Sequence, residues 1–215
     1  MRFMMPMIPP GHPAPVKPGS VNSTKRVLAL AATLAIAFAG TAAAAPVTYQ
    51  IDPEHTFPSF EADHMGISVW RGKLNKSRGS VTFDKASGSG SVDIAVDLSS
   101  IDFGHDKLNR WARTAEFFNV KKYPKVIYKG SFDGVADGVP TQVVGELTLH
   151  GITRPVVLRI NSLKCIAHPL YKRELCGADA IASFNRDEFG LGIGKEYGFN
   201  MDVTLRIQVE ALATQ

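Results

Sequence analysis

The segment DVTLRIQVEA, residues 202–211, has the most regular alternation in the chain. Apolar side chains occupy every second position, at Val203, Leu205, Ile207, Val209 and Ala211, with Thr204, Arg206, Gln208 and Glu210 between them. Successive side chains of a strand point to opposite faces of a sheet, so this pattern indicates a strand with one buried and one solvated face. The segment therefore predicts an antiparallel sheet with a core on one side.

The same period of two recurs along most of the chain. It is found at residues 47–51, 80–84, 91–98, 125–132, 143–150, 155–163 and 176–185. Glycine-rich turn signals separate these runs, and together they predict about eight strands. Only residues 105–118 have helical spacing of their apolar side chains, which predicts one helix.

A succession of strands with one helical insertion favours a closed antiparallel barrel over a sandwich, because closure removes exposed strand edges. A barrel of this size either fills its interior with side chains or holds one small ligand. Ala178, Ala180 and Ala182 share one face of a predicted strand. If that face points inward, it leaves room for a ligand; the alternative is an alanine face packed tightly under the helix.

The first 44 residues have the pattern of a secretory signal peptide. Lys25 and Arg26 precede an apolar run of 14 residues, 27–40, and the small-residue tract TAAAA. The run is shorter than the roughly 20 residues that span a bilayer, and the alanines fit a cleavage site after Ala44. We therefore expect an exported domain of residues 45–215, without a stable membrane anchor. Residues 1–20 are long and proline-rich for a leader, so a second hypothesis places the true start near Val21.

The charge balance changes when the leader is removed. Four of the 24 basic residues and none of the 20 acidic residues lie in residues 1–44, so 20 basic residues face 20 acidic ones in the rest. The sequence pI of about 9.1 therefore belongs to the leader. It gives no support for nucleic-acid binding.

Both cysteines, Cys165 and Cys176, lie in the exported part. An oxidising compartment favours a disulfide between them, and two free thiols are the alternative. The pair is not C-x-x-C, and two ligands alone do not make a structural zinc site. The six histidines include no His-x-x-x-His pair, so no metal site is predicted.

Asp52 and His55 flank a Pro53 turn, where the carboxylate could orient the imidazole as in a hydrolase triad. No serine or cysteine is marked as a nucleophile, and G-x-S-x-G is absent. A local turn capped by Asp52 is the alternative. The glycine-rich stretch 189–199 lacks the glycine and the Ser or Thr that a phosphate loop requires, so nucleotide binding is excluded.

Four motifs in order resemble the YceI-like family of bacterial periplasmic proteins. They are IDPEHTFPSFEADHMGISVWRGKL (51–74), AEFFNVKKYPKVIY (115–128), GELTLHGITRPV (145–156), and FNRDEFGL (184–191) with DVTLRIQVEA. The resemblance covers essentially all of the exported chain. It implies an all-β fold, an extended lipocalin-like antiparallel barrel of about eight strands with one helical insertion. It also implies a polyisoprenoid, an isoprenoid quinone or a fatty-chain amphiphile as cargo, a role in stress response, and no established enzymatic activity.

The resemblance and the apolar residues of irregular segments together nominate twelve ligand-binding positions. They are Asp52, His55, His64, Met65, Trp70, Trp111, Phe117, Phe118, Ala180, Phe184, Arg186 and Phe189. The cysteine-bearing insertion departs from the family pattern, so the sequence leaves the identity of the ligand open.

The leading hypothesis is a periplasmic binding or carrier protein for a long apolar lipid, with no cofactor, no catalytic residue and a possible homodimer. A second hypothesis is a hydrolase or isomerase that uses Asp52 and His55. A third is an interaction scaffold whose barrel is filled. The volume of the interior separates the third hypothesis from the first two.

Overall fold

The computed structural model describes residues 45–214, and strands dominate it. The strands are β1 (Val47–Ile51), β2 (Phe57–His64), β3 (Ser68–Leu74), β4 (Ser77–Asp84), β5 (Ser89–Asp97), β6 (Ile101–Asp102), β7 (Lys125–Ala136), β8 (Val139–Leu149), β9 (Ile152–Ala167), β10 (Glu174–Asn185) and β11 (Asp202–Ala213). One α-helix, α1 (Asp106–Ala112), and three short 3-10 turns at Leu98–Ser100, Arg186–Phe189 and Lys195–Tyr197 complete the described residues. The predicted leader lies outside them.

One antiparallel sheet closes on itself to form a barrel. Its strands follow the order β1-β4-β5-β7-β8-β9-β10-β11-β2-β3-β6, and a further pairing of β1 with β11 closes the ring. Eight strands form this closed ring, and β2, β3 and β6 extend its wall. The predicted all-β barrel with one helix is confirmed.

The extension arises because two consecutive strands share each of three positions in the wall. These pairs are β1 with β2, β3 with β4, and β5 with β6. β11 pairs with β1 at Ala211–Ala213 and with β2 at Val203–Gln208. Between these two strands, the backbone of Glu210 bonds to the corner that separates them. Its carbonyl accepts from the Asp52 amide at 2.9 Å and from the Thr56 hydroxyl at 3.1 Å, and its amide donates to Thr56 Oγ1 at 3.1 Å. β1 and β2 therefore act as one interrupted strand.

The helix is shorter than its sequence pattern predicts, because it ends at Ala112 rather than at Phe118. The amide and the hydroxyl of Thr114 both donate to the Trp111 carbonyl, at 2.9 and 2.8 Å. These two bonds close a turn that removes the carbonyl from the helical ladder. The apolar residues that follow lie in turns below the helix.

A disulfide joins Cys165 and Cys176, as predicted from the sequence. The two residues lie directly opposite each other on β9 and β10. The bridge fixes the base of a hairpin whose tip carries the exposed side chains of Leu170 and Tyr171. No helix in residues 45–214 is long and apolar enough to cross a membrane.

We predict that replacing both cysteines, in Cys165→Ser/Cys176→Ser, lowers the free energy of unfolding. A closed loop of roughly a dozen residues contributes about 3 kcal/mol in the chain-entropy model. Urea unfolding of the exported domain measures this difference, and reduction of the wild-type protein should give the same decrease. Equal stability of the double variant and the oxidised wild type would contradict the prediction.

Candidate functional site: an apolar cavity inside the barrel

The barrel contains a cavity of about 520 Å³ whose surface consists almost entirely of apolar atoms. The inward faces of the strands supply most of the lining. β5 contributes Val92, Ile94 and Val96, and β11 contributes Val203, Leu205, Ile207 and Val209. The apolar side chains that alternate along these strands therefore form the wall of the cavity.

Aromatic side chains line the cavity next to α1. Trp111, the last aromatic residue of the helix, packs on Phe117 with ring centroids 5.1 Å apart, and Phe117 packs on Phe118 at 4.2 Å. The indole of Trp111 donates to Glu116 Oε2 at 3.0 Å, which satisfies its polar atom. These three residues present ring carbon to the cavity.

A second aromatic group lines the cavity from β2, from β3 and from the segment that follows β6. Phe103 packs edge-on against Phe60, with centroids 5.2 Å apart, and against Trp70 at 6.4 Å. His64 lies outside this layer, stacked on Trp70 at 4.2 Å, and the ring of Phe199 contacts it edge-on. His64 therefore supports the wall without lining it.

The alanine face of β10 points inward, as a ligand cavity requires. Ala178 and Ala180 line the cavity, and Ala182 is buried in the wall. A bulge in β9 shifts the register between Asp179 and Ala180, so the inward faces of β9 and β10 remain matched on both sides of it. The small side chains leave space that larger residues would fill.

Two tyrosine hydroxyls of the lining form hydrogen bonds within the protein. The Tyr128 hydroxyl donates to the carbonyl of Val156 at 2.9 Å and lies 3.1 Å from that of Val143. The Tyr49 hydroxyl donates to Glu174 Oε2 at 2.6 Å. Burial raises the pKa of Tyr128 to about 12, and burial followed by the bond to Glu174 raises the pKa of Tyr49. Both hydroxyls therefore stay neutral over the physiological range.

Arg186 is buried and lines the cavity, yet its guanidinium is directed at backbone. Nη1 donates to the Leu191 carbonyl, and Nη2 donates to the Ile193 carbonyl at 2.8 Å. Burial lowers the pKa of Arg186, although the nearby Asp187 carboxylate opposes this shift. The side chain thus holds the loop after β10 in place, and that loop contributes Leu191, Ile193 and Phe199 to the lining.

Asp52 and His55 form a local pair outside the cavity. Asp52 Oδ2 lies 2.8 Å from His55 Nδ1, and the side chains are 29% and 60% exposed. Burial opposes ionisation of Asp52, but hydrogen bonds from His55 and the Glu54 amide lower its pKa. The bond to Asp52 raises the pKa of His55. The geometry is that of the capped turn that the sequence left as an alternative.

Seven of the twelve nominated residues line the cavity: Trp70, Trp111, Phe117, Phe118, Ala180, Phe184 and Arg186. Asp52, His55, His64, Met65 and Phe189 lie outside the lining. Met65 has a left-handed backbone (φ 57°) in the β2–β3 turn, and its side chain is half exposed. Phe189 is completely buried and packs on Phe184 with centroids 5.2 Å apart. Direct ligand contact by any of the twelve stays a prediction.

Sequence reasoning missed several large lining residues, including Phe60, Phe103, Tyr128 and Phe132. For the three that lie on strands, Phe60, Tyr128 and Phe132, alternation carried the signal but does not say which face is inward. Phe103 follows β6, where no alternation is available. The described residues contain one group of three potential metal ligands, Cys165, Glu174 and Cys176. Both of its sulfurs are bonded to each other, so the group is not a metal site.

Together, the closed ring and the apolar cavity define a lipocalin-like barrel. The sequence profile of the YceI-like domain matches residues 49–211, and the chain belongs to this family. A UPF0312 protein from Pectobacterium carotovorum is 35% identical over 135 residues, which cover 62% of this chain and 70% of the relative.

Solved structures show the same fold at lower sequence identity. BcnA from Burkholderia cenocepacia matches with a TM-score of 0.61 and 21% identity, over 75% of this chain and 99% of its own. A polyisoprenoid-binding domain from Saccharophagus degradans, implicated in plant cell wall breakdown, matches with a TM-score of 0.57 and 17% identity. This match covers 78% of this chain and 99% of that domain.

We predict that Tyr128 makes the barrel less stable at high pH. Its pKa in the folded state, about 12, exceeds the ordinary value of 10.0, so its contribution is complete below pH 10 and is lost as pH rises through 12. Between about pH 9 and about pH 12, the free energy of unfolding should fall by about 2 kcal/mol more in the wild type than in Tyr128→Phe. Urea unfolding at the two pH values measures this, and parallel losses in both proteins would refute it.

Proposed function

We propose that this protein binds a long apolar lipid in the barrel cavity and carries it in the periplasm. The observation that carries the proposal is the cavity itself, whose surface is apolar almost throughout. Such a surface recognises hydrocarbon by shape and area, because nearly all of it is carbon. The interior volume also weighs against the scaffold with a filled barrel.

Apolar burial alone supplies enough free energy for tight binding. Removing about 500 Å² of hydrocarbon from water at about 25 cal/mol per Å² contributes ~12 kcal/mol, before the costs of association and ordering. Tight binding therefore requires no ionic anchor. This agrees with the internal use of Arg186, Tyr49 and Tyr128 by the protein's own hydrogen bonds.

The cavity extends along the barrel, which favours a long cargo. Its lining reaches from Tyr49 and Cys176 at one end to Phe117 and Phe199 at the other. The polyisoprenoid-binding domain from Saccharophagus degradans has the same fold. A polyisoprenoid or an isoprenoid quinone is therefore the proposed cargo, with fatty-chain amphiphiles as a second class.

Export to the periplasm is supported by the leader pattern of residues 1–44 and by the disulfide, which an oxidising compartment favours. The second hypothesis, a hydrolase or isomerase, has less support. Its two residues, Asp52 and His55, face solvent outside the cavity lining.

Native extraction tests the proposal directly. The exported protein is purified without detergent and extracted with organic solvent, and the bound molecules are identified by mass spectrometry. We expect a polyprenyl or fatty-chain species in stoichiometric amount. Protein that yields no lipid and takes up no added quinone would count against lipid carriage.

We predict that Ala180→Trp abolishes most lipid binding, because the new indole enters the cavity that Ala180 lines. Ser183→Trp is the matched control, since Ser183 is exposed on the outer face of the same strand. Retention of extracted lipid per mole of protein measures the effect. Equal retention in Ala180→Trp and Ser183→Trp would show that the cargo does not occupy this part of the barrel.

Arg186→Ala should weaken lipid retention less than Ala180→Trp, because the guanidinium bonds to backbone carbonyls. Its main effect is on stability: a buried and a partly buried carbonyl lose their donors, at about 1–3 kcal/mol for the buried one and less for the other. Thermal unfolding and lipid retention measured on the same samples separate the two effects. Complete loss of lipid in a folded Arg186→Ala protein would assign Arg186 a direct role in binding.

A further inference from the structure

The barrel wall is incomplete along β3. One side of β3 pairs with β2 over Ser68–Lys73. On the other side, pairing is restricted to Lys73 and Leu74, which bond to the two residues of β6. The remaining edge of β3, residues 68–72, has no strand beside it among residues 45–214, and residues of α1 lie near this edge.

A surface groove between β3 and α1 meets the cavity at this gap. Trp70, Phe103 and Trp111 line both the groove and the cavity. These three side chains separate the two spaces without any backbone ladder between them. At this point side chains alone separate the two spaces, whereas hydrogen-bonded strands form the wall of the closed ring.

The floor of the gap is fixed in place. Asn109 of α1 is buried, and its amide donates to Asp102 Oδ1 at 2.9 Å. Its carbonyl oxygen accepts from the Phe103 amide at 2.8 Å. These bonds anchor the helix to β6.

Basic side chains line part of the groove. Its lining includes Arg71, His105 and Lys107 and contains no carboxylate. Lys107 has no salt-bridge partner among residues 45–214. Glu61 accepts from Arg71 Nε at 3.0 Å and from Arg206 Nε at 3.1 Å, so these three side chains together carry a net positive charge.

His105 adds a hydrogen-bond donor. Its Nδ1 accepts a hydrogen bond from the Leu108 amide at 3.2 Å and caps α1. With Nδ1 as the acceptor, Nε2 carries the ring proton and is available to donate.

We propose that the gap between β3 and α1 is the entrance to the cavity, and that the groove binds the anionic head group of a single-chain amphiphile. This inference rests on the proposed lipid binding and adds the head-group chemistry, a phosphate or a carboxylate. The chain passes between Trp70 and Trp111 into the barrel, and the head group remains outside against Arg71, Lys107 and the His105 donor. Charge-assisted hydrogen bonds select anions there.

Calorimetric titration of the delipidated exported protein tests the proposal with dodecyl phosphate, lauric acid and dodecanol, which share one chain length. The wild type should bind the two anions at least about tenfold more tightly than the alcohol, the effect of one or more charge-assisted hydrogen bonds. Arg71→Gln/Lys107→Gln should remove this advantage and leave dodecanol binding unchanged. Lys164→Gln, at an exposed lysine on β9 outside the groove, should behave as the wild type.

The outcomes separate this inference from the proposed function. A preference between the two anions identifies the head group as phosphate or carboxylate. Equal binding of all three probes by the wild type, or equal weakening of all three in the double variant, overturns the groove assignment but preserves lipid binding. Failure to bind any probe overturns the inference, and it counts against lipid carriage only if native extraction also yields no lipid.

Discussion

The structure depends on β11, because this strand pairs with three others and thereby closes the barrel. β10 covers one edge along its whole length, while β1 and β2 divide the other. The division is possible because the corner between β1 and β2 bonds to the backbone of Glu210, which would otherwise be unpaired there. Closure leaves the inward side chains no solvent to face, so their alternation creates an apolar interior.

The interior is apolar because the protein satisfies its own inward polar groups. Tyr128 shows how this is done, since its hydroxyl reaches from β7 across β8 to the Val156 carbonyl of β9. The path requires a glycine on β8: a Cβ at Gly145 would lie 2.8 Å from the Tyr128 hydroxyl. The guanidinium of Arg186 likewise donates its hydrogen bonds to backbone carbonyls of the loop after β10. What remains for a ligand is carbon surface, which discriminates by length and shape rather than by polar contacts.

The two ends of the barrel differ, and the difference gives the molecule a direction. At one end Tyr49, Phe83 and Ala211 form a buried cluster, and the disulfide fixes the adjoining hairpin. At the other end, one edge of β3 is unpaired over most of its length. Aromatic side chains lie there in place of strand hydrogen bonds. A cargo inserted from the open side would meet the closed cluster with its apolar tail and leave a polar end near α1.

Local pattern in the sequence was enough for the strands and the closed barrel, because these follow from period-two alternation. Residue chemistry favoured the disulfide, and alternation placed the three alanines of β10 on one face, but whether that face points inward was decided by the tertiary structure. The end of α1 at Ala112 and the exposure of Met65 were decided by turn hydrogen bonds and backbone conformation. Which aromatic residues line the cavity depended on register between distant strands, so Phe60 and Phe103 were missed. The contact of cavity and groove at Trp70 and Trp111 joins residues far apart in the chain. Only the tertiary structure could decide it, because the gap exists where β3 lacks a neighbour, and alternation within one strand carries no information about its neighbours.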